Sequence, residues 1–355
     1  MGEKKHRVAI IGCGRMGQIY ADAYATYPDT EIVAIIETNA ERRGVVGERF
    51  GVSALFGSVG EMLAEVIPDV ASVVTPVKYM KEAVIACAEA GVKGITVDKP
   101  VGGVLADADA MVEACASRGI VFGGGNLQRA MHEVQEAGGR IRSGEFGEII
   151  GASVHGWGGE IVGGGCQHIS VLRLLADAEV EEVIAWGTPE EALGQEDDSG
   201  LIINGQFTLS SGLVCPVYGA PTPRRGVEVW SADSLVSWDW GPPEIFRGFD
   251  EEGNRIGIDP GYAPYEWSEY SYLTGAIRSF LAALETGSEL WVSGHDLRQA
   301  LEVAIAARVS ALRGNAPVRL PLEDRSLSLY PRAYRWIGGD FSGNPQSAEE
   351  AAGEE

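Results

Sequence analysis

Hydrophobic and polar positions follow two different patterns along the chain, and the change falls near residue 125. Before it, short apolar runs alternate with longer segments of helical period, such as 81–90 and 106–116. The apolar runs read VAIIG, EIVAIIE, DVASVVTP, GITVDKP and GIVFGG. Strands and helices in regular alternation predict an α/β domain with a parallel sheet that is covered on both faces.

After Asn126 the apolar runs follow one another more directly. A helix is expected over 131–142 and a turn at SGEFGE. The runs that read as strands are IIGASVHGW, EEVIAWG, LIINGQFTL, LVCPVYG, VEVWS and LVSWDW. Strands separated by turns predict a mostly antiparallel sheet, and two helical patterns over 268–284 and 295–312 follow it.

These patterns predict a dinucleotide-binding domain over 1–125 and a substrate-binding and oligomerisation domain over 126–340. Residues 341–355 are acidic, small and without aromatic side chains. Such a segment cannot bury enough apolar surface to offset the entropy of ordering it. We therefore expect an acidic disordered tail.

Length, charge and cysteine usage narrow the class of protein. At 355 residues the chain exceeds the size at which one core usually stops growing, so two domains are expected. A formal net charge of −23 would repel nucleic acids and anionic membranes, so neither is expected as a partner. The five scattered cysteines show no zinc-site spacing, which favours reduced thiols in the cytoplasm and no metal site.

The segment GCGRMG follows the first apolar run and opens a helical segment, which is the context that a nucleotide-binding G-x-G-x-x-G motif requires. The first glycine permits a tight turn, the second lets the backbone approach a pyrophosphate, and the third allows close helix–strand packing. In a chain with 48 glycines a chance match is the alternative. The candidate cofactor-binding residues here are Gly12, Gly14, Arg15, Met16 and Gly17.

Glu37 ends the second apolar run, twenty residues after Gly17. A carboxylate at this position accepts hydrogen bonds from the adenosine ribose and repels a 2′-phosphate, which favours NAD over NADP. Two alternatives stay open. Glu37 begins a solvated loop, or Arg42 and Arg43 clamp a phosphate and reverse the preference.

Two further motifs follow predicted strands. Thr75 and Pro76 end the third run, and Asp98 and Lys99 end the next one, at the strand ends where open α/β sheets bind ligands. A lysine beside a nicotinamide would meet partial burial and a positive ring, and both lower its pKa toward the range for proton exchange. The alternative for Lys99 is an ordinary surface lysine.

The order of GCGRMG, Glu37, TP, DKP and SGEFGE resembles the glucose-fructose oxidoreductase / inositol dehydrogenase / MocA family, over residues 6 to 322. The resemblance implies a Rossmann domain, a second α/β domain with a large open sheet, and a homodimer or homotetramer formed through that sheet. It also implies NAD(P) and carbohydrate-like substrates. The family's E-K-P lysine contacts substrate and nicotinamide, so Lys99 is expected to do so.

Several positions depart from the family pattern. Asp98 stands where Glu is usual, and Val77 and Met80 replace residues that often contact the cofactor. Arg129 resembles the family's arginine after the fifth strand, which implies a substrate contact, with a surface charge as the alternative. Trp157 ends a strand that faces substrate in the family, so it either stacks on a sugar ring or packs in the core.

The largest departure lies in GGGCQHISVLRLL, residues 163–175. Gly164 occupies the position of an aspartate that many family members carry four residues before a catalytic histidine. In one alignment His168 is that histidine, and in another Gln167 falls on its position. We predict that His168 faces the site as the acid–base partner of Lys99 and that Gln167 contacts substrate.

Together these features predict a cytoplasmic NAD-dependent enzyme that transfers a hydride between nicotinamide and a hydroxyl carbon of a sugar, glycoside or cyclitol. Two alternatives belong to other classes. One is a redox-neutral glycosidase or lyase that keeps NAD bound, and the other is a non-catalytic sensor that retains the ligand pocket.

Overall fold

The computed structural model describes residues 5–263 and 271–332, and these residues form two compact units. The first unit holds the described residues up to Gly125 together with 276–298. The second holds the described residues of 126–275 and 299–332. The sequence pattern predicts a single division at residue 125, whereas the structure also groups residues 276–298 with the first unit. The predicted tail over 341–355 lies outside the described residues.

The described part of the first unit contains one sheet of six parallel strands with the order β3-β2-β1-β4-β5-β6. This is the order of a Rossmann fold, so the predicted doubly wound parallel sheet is confirmed. The strands are β1 (His6–Ile11), β2 (Thr30–Ile36), β3 (Leu55–Phe56), β4 (Val70–Val73), β5 (Gly94–Val97) and β6 (Val121–Gly124).

Helices connect these strands, as the alternating pattern predicts. Asn39 caps the second of them by accepting a hydrogen bond from the Arg42 N–H, and Gly51 ends it in the left-handed conformation. The helices are α1 (Arg15–Thr26), α2 (Ala40–Phe50), α3 (Val59–Glu65), α4 (Val77–Glu89) and α5 (Leu105–Ala116).

In the second unit the described residues form a mostly antiparallel sheet of nine strands, in the order β14-β13-β12-β11-β7-β10-β9-β8-β15. Only the β7–β10 pair among them is parallel. The predicted antiparallel sheet is confirmed. The strands are β7 (Gly151–His155), β8 (Val180–Thr188), β9 (Ile202–Leu209), β10 (Val214–Tyr218), β11 (Gly226–Trp230), β12 (Ser234–Trp238), β13 (Glu244–Phe249), β14 (Arg255–Ile258) and β15 (Val318–Arg319).

Five further helices follow the first five among the described residues. The predicted helix over 131–142 is present, and the division between the two units falls within each of the last two helices. No helix in the described ranges is long and apolar enough to cross a membrane. The helices are α6 (His132–Arg142), α7 (Cys166–Leu175), α8 (Glu190–Leu193), α9 (Ser271–Thr286) and α10 (Gly294–Leu312).

The two faces of the large sheet differ in burial. Along β9 every second residue is buried, as expected for a sheet with one covered face. Helix α7 packs on that face at β7 and β11. The other face carries exposed aromatic side chains: Trp186 is 46% exposed and Tyr218 is 52% exposed.

Candidate active site

In the turn between β1 and α1, two of the three glycines are required by nearby backbone atoms, and the third borders open space. Gly12 has φ +89°, and a Cβ there would lie 2.5 Å from the Val74 carbonyl oxygen. A Cβ on Gly17 would collide with the carbonyl oxygen of Gly12. Gly14 is different, because the nearest atom to its Cβ position is Arg42 Nη1 at 4.0 Å. The backbone at Gly14 is therefore open to a ligand, as the motif predicts.

Helix α1 begins directly after this turn without a side-chain cap among the described residues. The first N–H groups of a helix have no partner within it and carry the positive end of the helix dipole. Arg15 is exposed and Met16 half-buried at this start. The arrangement leaves backbone donors for the phosphates of a nucleotide.

Glu37 holds this turn from the end of β2. Its Oε2 accepts the backbone N–H of Cys13 at 2.9 Å, and its Oε1 accepts that of Asn39 at 2.9 Å. Arg42 lies beside it, with Nη1 at 3.7 Å from Oε2. Glu37 is buried, so it does not begin a solvated loop. Oε1 also accepts the Thr38 hydroxyl at 3.2 Å. Oε2 therefore keeps a lone pair for a ribose hydroxyl.

The ends of four strands bring the predicted cofactor residues to one edge of the first sheet. Ile11 pairs with Ile36 and with Val73, and Val73 pairs with Val97. These four residues end β1, β2, β4 and β5. Because the strands are parallel and in register, Gly12, Glu37, Thr75 and Lys99 follow at the same edge.

The residues at this edge fit an NAD cofactor. The open backbone at Gly14 and the uncapped start of α1 fit a pyrophosphate, and the Glu37 carboxylate fits a ribose. The Thr75 hydroxyl oxygen is buried and has no hydrogen-bond partner among the described residues. A bound ligand group would satisfy that hydroxyl, since buried polar groups are otherwise paired.

Lys99 is half-buried, two residues beyond the end of β5, and Pro100 follows it after a cis peptide bond. The hydroxyl of Tyr20 lies 3.2 Å from Asp98 Oδ1 and 3.3 Å from the Val97 carbonyl oxygen. Tyr20 is fully buried on α1, so it ties the DKP segment to the helix that follows the glycine turn.

In the second unit, the glycine run before α7 forms a π-helical turn over Ile161–Gly165. Asp198 holds its start, because one carboxylate oxygen accepts the N–H groups of Val162 at 2.7 Å and Gly163 at 3.2 Å. Asp198 is fully buried. This carboxylate therefore fixes where α7 begins.

Gln167 and His168 lie at that beginning and point to different neighbours. The Gln167 side-chain oxygen accepts the Gln128 N–H at 2.6 Å, and its amide nitrogen donates to the Asn126 carbonyl at 2.8 Å. Gln167 thus binds the backbone of the segment that follows β6. Successive helix residues point about 100° apart, and the adjacent His168 lies among tryptophan rings instead.

His168 is fully buried in edge-to-face contact with three indoles. The ring centroids lie 6.0 Å from Trp157, 5.3 Å from Trp238 and 5.6 Å from Trp240. Burial lowers the pKa of His168 from 6.5 to about 4, although two nearby backbone carbonyls oppose the shift. The predicted acid–base role requires a histidine that titrates near neutral pH, and a ring with this lowered pKa does not.

The other two predicted substrate residues contact protein groups. Arg129 lies on the 3-10 turn Gln128–Ala130 and donates to the Ser170 carbonyl of α7 at 3.2 Å. Trp157 is 7% exposed and packs against His168, with its indole nitrogen over Gly219. The core-packing alternative describes Trp157 in this structure.

Sequence reasoning did not single out Asp198, Trp238 or Trp240. The only signals were three adjacent acids in GQEDDSG and two tryptophans in SWDWG, and neither pattern indicates which helix the residues would meet. In the described ranges, no three His, Cys, Asp or Glu side chains come together in a group that could hold a metal ion.

The sequence is similar to known oxidoreductases. Residues 6–125 match the GFO_IDH_MocA family, described as an oxidoreductase family with an NAD-binding Rossmann fold. D-apiose dehydrogenase of Paraburkholderia graminis is 25% identical over 339 residues, which cover 88% of this chain and 89% of that protein. Myo-inositol 2-dehydrogenase of Thermotoga maritima is 25% identical over 328 residues, which cover 86% of this chain and 96% of that protein.

A solved structure shares the fold over most of both chains. It is an oxidoreductase from Agrobacterium radiobacter in complex with NAD+, L-tartaric acid and magnesium. It superimposes with a TM-score of 0.73 at 19% identity, covering 89% of this chain and 98% of the other.

Proposed function

We propose that this chain, which is similar to the glucose-fructose oxidoreductase / inositol dehydrogenase / MocA family of NAD-binding oxidoreductases, transfers a hydride between nicotinamide and a hydroxyl carbon of a sugar, glycoside or cyclitol. The single observation that carries the proposal is the shared strand edge of the first unit. There, the glycine turn, Glu37 and Lys99 follow strands whose last residues are in register.

A bound NAD would supply the acceptor or donor of the hydride. The start of α1 would hold its phosphates and Glu37 its ribose, and Lys99 lies beyond the end of β5. In the oxidation direction, the neutral Lys99 amine accepts the proton of the substrate hydroxyl, and the carbon gives up its hydrogen as hydride. In the reduction direction, the Lys99 ammonium returns that proton.

His168 does not share this proton transfer in our proposal, because burial lowers its pKa to about 4 and the ring holds a proton only below about that pH. Gln167 connects α7 to Asn126 and Gln128, and Arg129 connects the same segment to Ser170. We assign these two side chains to the placement of α7 against the segment that follows β6.

The substrate class follows from the relatives. The dehydrogenases that match most of the sequence act, by their names, on D-apiose and myo-inositol, which are both polyhydroxylated carbon skeletons. We propose a neutral cyclic polyol or glycoside for this protein.

A panel of aldoses, methyl glycosides and inositols with NAD+, followed by NADH absorbance, tests the proposal. Lys99→Met should lower the rate on the responsive compound by roughly a hundredfold or more, the scale of a lost acid–base group. Lys93→Met is the matched control, since Lys93 lies before β5 at the opposite edge of the sheet. An unchanged rate in Lys99→Met would contradict the proton transfer and favour the alternative that Lys99 is an ordinary surface lysine.

The redox-neutral alternative uses the same cofactor edge and differs in whether NAD leaves. Mass spectrometry of the purified, extensively dialysed protein separates the two. Stoichiometric NAD that survives dialysis, together with no net NADH formed, would favour the redox-neutral enzyme. Failure to bind either nucleotide would favour the sensor.

We also propose that the open face of the large sheet forms a homo-oligomer. Trp186 and Tyr218 are both opposite Asn204 in register, so the two exposed rings share one face. Exposed apolar side chains that share a face are typical of protein interfaces. Trp186→Glu combined with Tyr218→Glu should shift the protein to the monomer in light scattering, and an unchanged mass would place the interface elsewhere.

A further inference from the structure

Trp240 combines two features that seldom occur together. Its indole is 38% exposed, and its backbone has φ +57° in the left-handed region. A bulky residue rarely adopts this conformation, because its Cβ crowds the following carbonyl. Glycine or asparagine would relieve the crowding. A bulky side chain held in such a backbone indicates that the side chain itself serves a purpose.

Trp240 packs against aromatic side chains at the start of α7. It follows β12 by two residues and packs against Trp238, with ring centroids 5.6 Å apart, and against His168. His168 is the third residue of α7, next to Gln167. Trp240 therefore stands at the rim of the sheet, over the first turn of the helix that follows the glycine run.

Behind Trp240 lies a polar atom that the protein leaves unpaired. The indole nitrogen of Trp238 is buried without a hydrogen-bond partner among the described residues. Indole nitrogens only donate. Buried groups of this kind are normally satisfied, so the cluster is suited to a neighbour that accepts a hydrogen bond.

A cyclic polyol has the matching chemistry. The C–H groups of a pyranose or cyclitol ring form an apolar face that lies on an indole, and its hydroxyls donate and accept hydrogen bonds. The three rings that contact His168 are all indoles, and indoles fit the C–H face of such a ring.

We propose that Trp240 is a specificity-determining residue, an exposed platform on which the ring of a cyclic polyol or glycoside substrate stacks. His168 and Trp238 act through Trp240, because their edge-to-face packing holds its indole in place. This inference rests on the proposed function for its substrate class and adds the residue that selects the ring.

Saturation-transfer NMR on the full-length protein with NAD+ tests the platform through binding rather than turnover. The probes are myo-inositol and methyl β-D-glucopyranoside, with the linear polyol D-sorbitol as the acyclic comparison. Wild-type protein should bind at least one ring compound more tightly than sorbitol. Trp240→Leu should weaken the bound ring compound by about tenfold, and Trp240→Phe should restore most of the affinity.

Phe249→Leu is the control, since Phe249 is an aromatic residue on β13 that is 70% exposed. It should bind as wild type. His168→Phe should raise KM more than it lowers kcat if His168 only positions the indole, whereas loss of kcat alone contradicts that role. Melting curves of all variants confirm folding.

The outcomes separate the two proposals. Ring binding that depends on Trp240 without any hydride transfer overturns the proposed function and supports the platform. Ring binding that is unchanged in Trp240→Leu, or no ring binding by the wild type, overturns the platform. A crystal structure in which an ordered water pairs with His168 or Trp238 while the ligand lies away from Trp240 would also overturn it.

Discussion

Two glycine-rich segments precede helices in this protein, and each is held by a buried carboxylate. In the β1–α1 turn, Glu37 accepts one N–H and the helix start stays uncapped. In the π-helical turn before α7, Asp198 accepts two N–H groups, and the Glu160 carbonyl accepts those of Gly164 and Gly165.

The difference shows that glycine content alone does not indicate an anion site. The first turn uses glycine because backbone atoms crowd Gly12 and Gly17, and it keeps donors for a ligand. The second turn has protein acceptors for its donors, so it fixes the helix and the side chains that follow. We expect the two segments to respond differently to the same substitutions.

The largest expected contrast is between Gly17→Ala and Gly164→Ala. A Cβ on Gly17 collides with the Gly12 carbonyl, whereas one on Gly164 lies 3.2 Å from the Trp157 carbonyl oxygen. Gly17→Ala should weaken NADH binding by about a thousandfold, roughly 4 kcal/mol, and Gly164→Ala by less than about threefold. Calorimetric titration with NADH measures both. Similar losses in the two variants would contradict the contrast.

The next effect concerns pH. The folded-state pKa of His168 is about 4, below the unfolded value of 6.5, so the unfolded chain binds an extra proton between these values. The contribution of the neutral His168 ring to the free energy of unfolding is fully present above about pH 6.5. It is lost as the pH falls toward 4, by about 3 kcal/mol in all. Urea unfolding at several pH values should show this slope, and His168→Phe should lack it.

The same pair of proteins tests the acid–base role of His168. A limb of kcat/KM near neutral pH that disappears in His168→Phe would contradict a ring buried among indoles. It would restore His168 as the partner of Lys99.

A smaller effect is expected at the carboxylate of the second turn. Asp198→Ala leaves the Val162 and Gly163 N–H groups without their acceptor and should lower the free energy of unfolding by about 2 kcal/mol. Asp198→Asn keeps one acceptor oxygen and should cost about half as much. The neighbouring Asp197→Ala is the control, because Asp197 is half-buried and, among the described residues, its side chain accepts only the Ser199 N–H. Equal losses in the free energy of unfolding for Asp197→Ala and Asp198→Ala would contradict this role of Asp198.

The smallest effect concerns the carboxylate of the first turn. Glu37 should repel a 2′-phosphate, so NADH should bind at least about tenfold more tightly than NADPH, which is about 1.4 kcal/mol. Glu37→Ser should narrow this ratio. Fluorescence titration with both nucleotides measures it. Tighter NADPH binding by the wild type would indicate that Arg42 or Arg43 holds the phosphate.

Much of the fold follows from local pattern. The buried strands β1, β2, β4 and β5 are continuous apolar runs, because a parallel sheet is covered on both faces. The hairpin of β13 and β14 escaped sequence reasoning, since only Ile245 is buried in its two strands and the alternation is therefore weak.

The sequence by itself determined the first unit's nucleotide edge, because each residue there is placed by its distance from a strand end. Gly12, Glu37 and Lys99 need only the rule that parallel strands end at one edge. Tertiary structure decided the second unit. Whether Gln167 or His168 meets the sheet depends on where α7 begins, and that is set by Asp198, which lies thirty residues away in sequence from His168. The contacts of His168 with Trp238 and Trp240 join distant segments, and no local pattern encodes such a meeting.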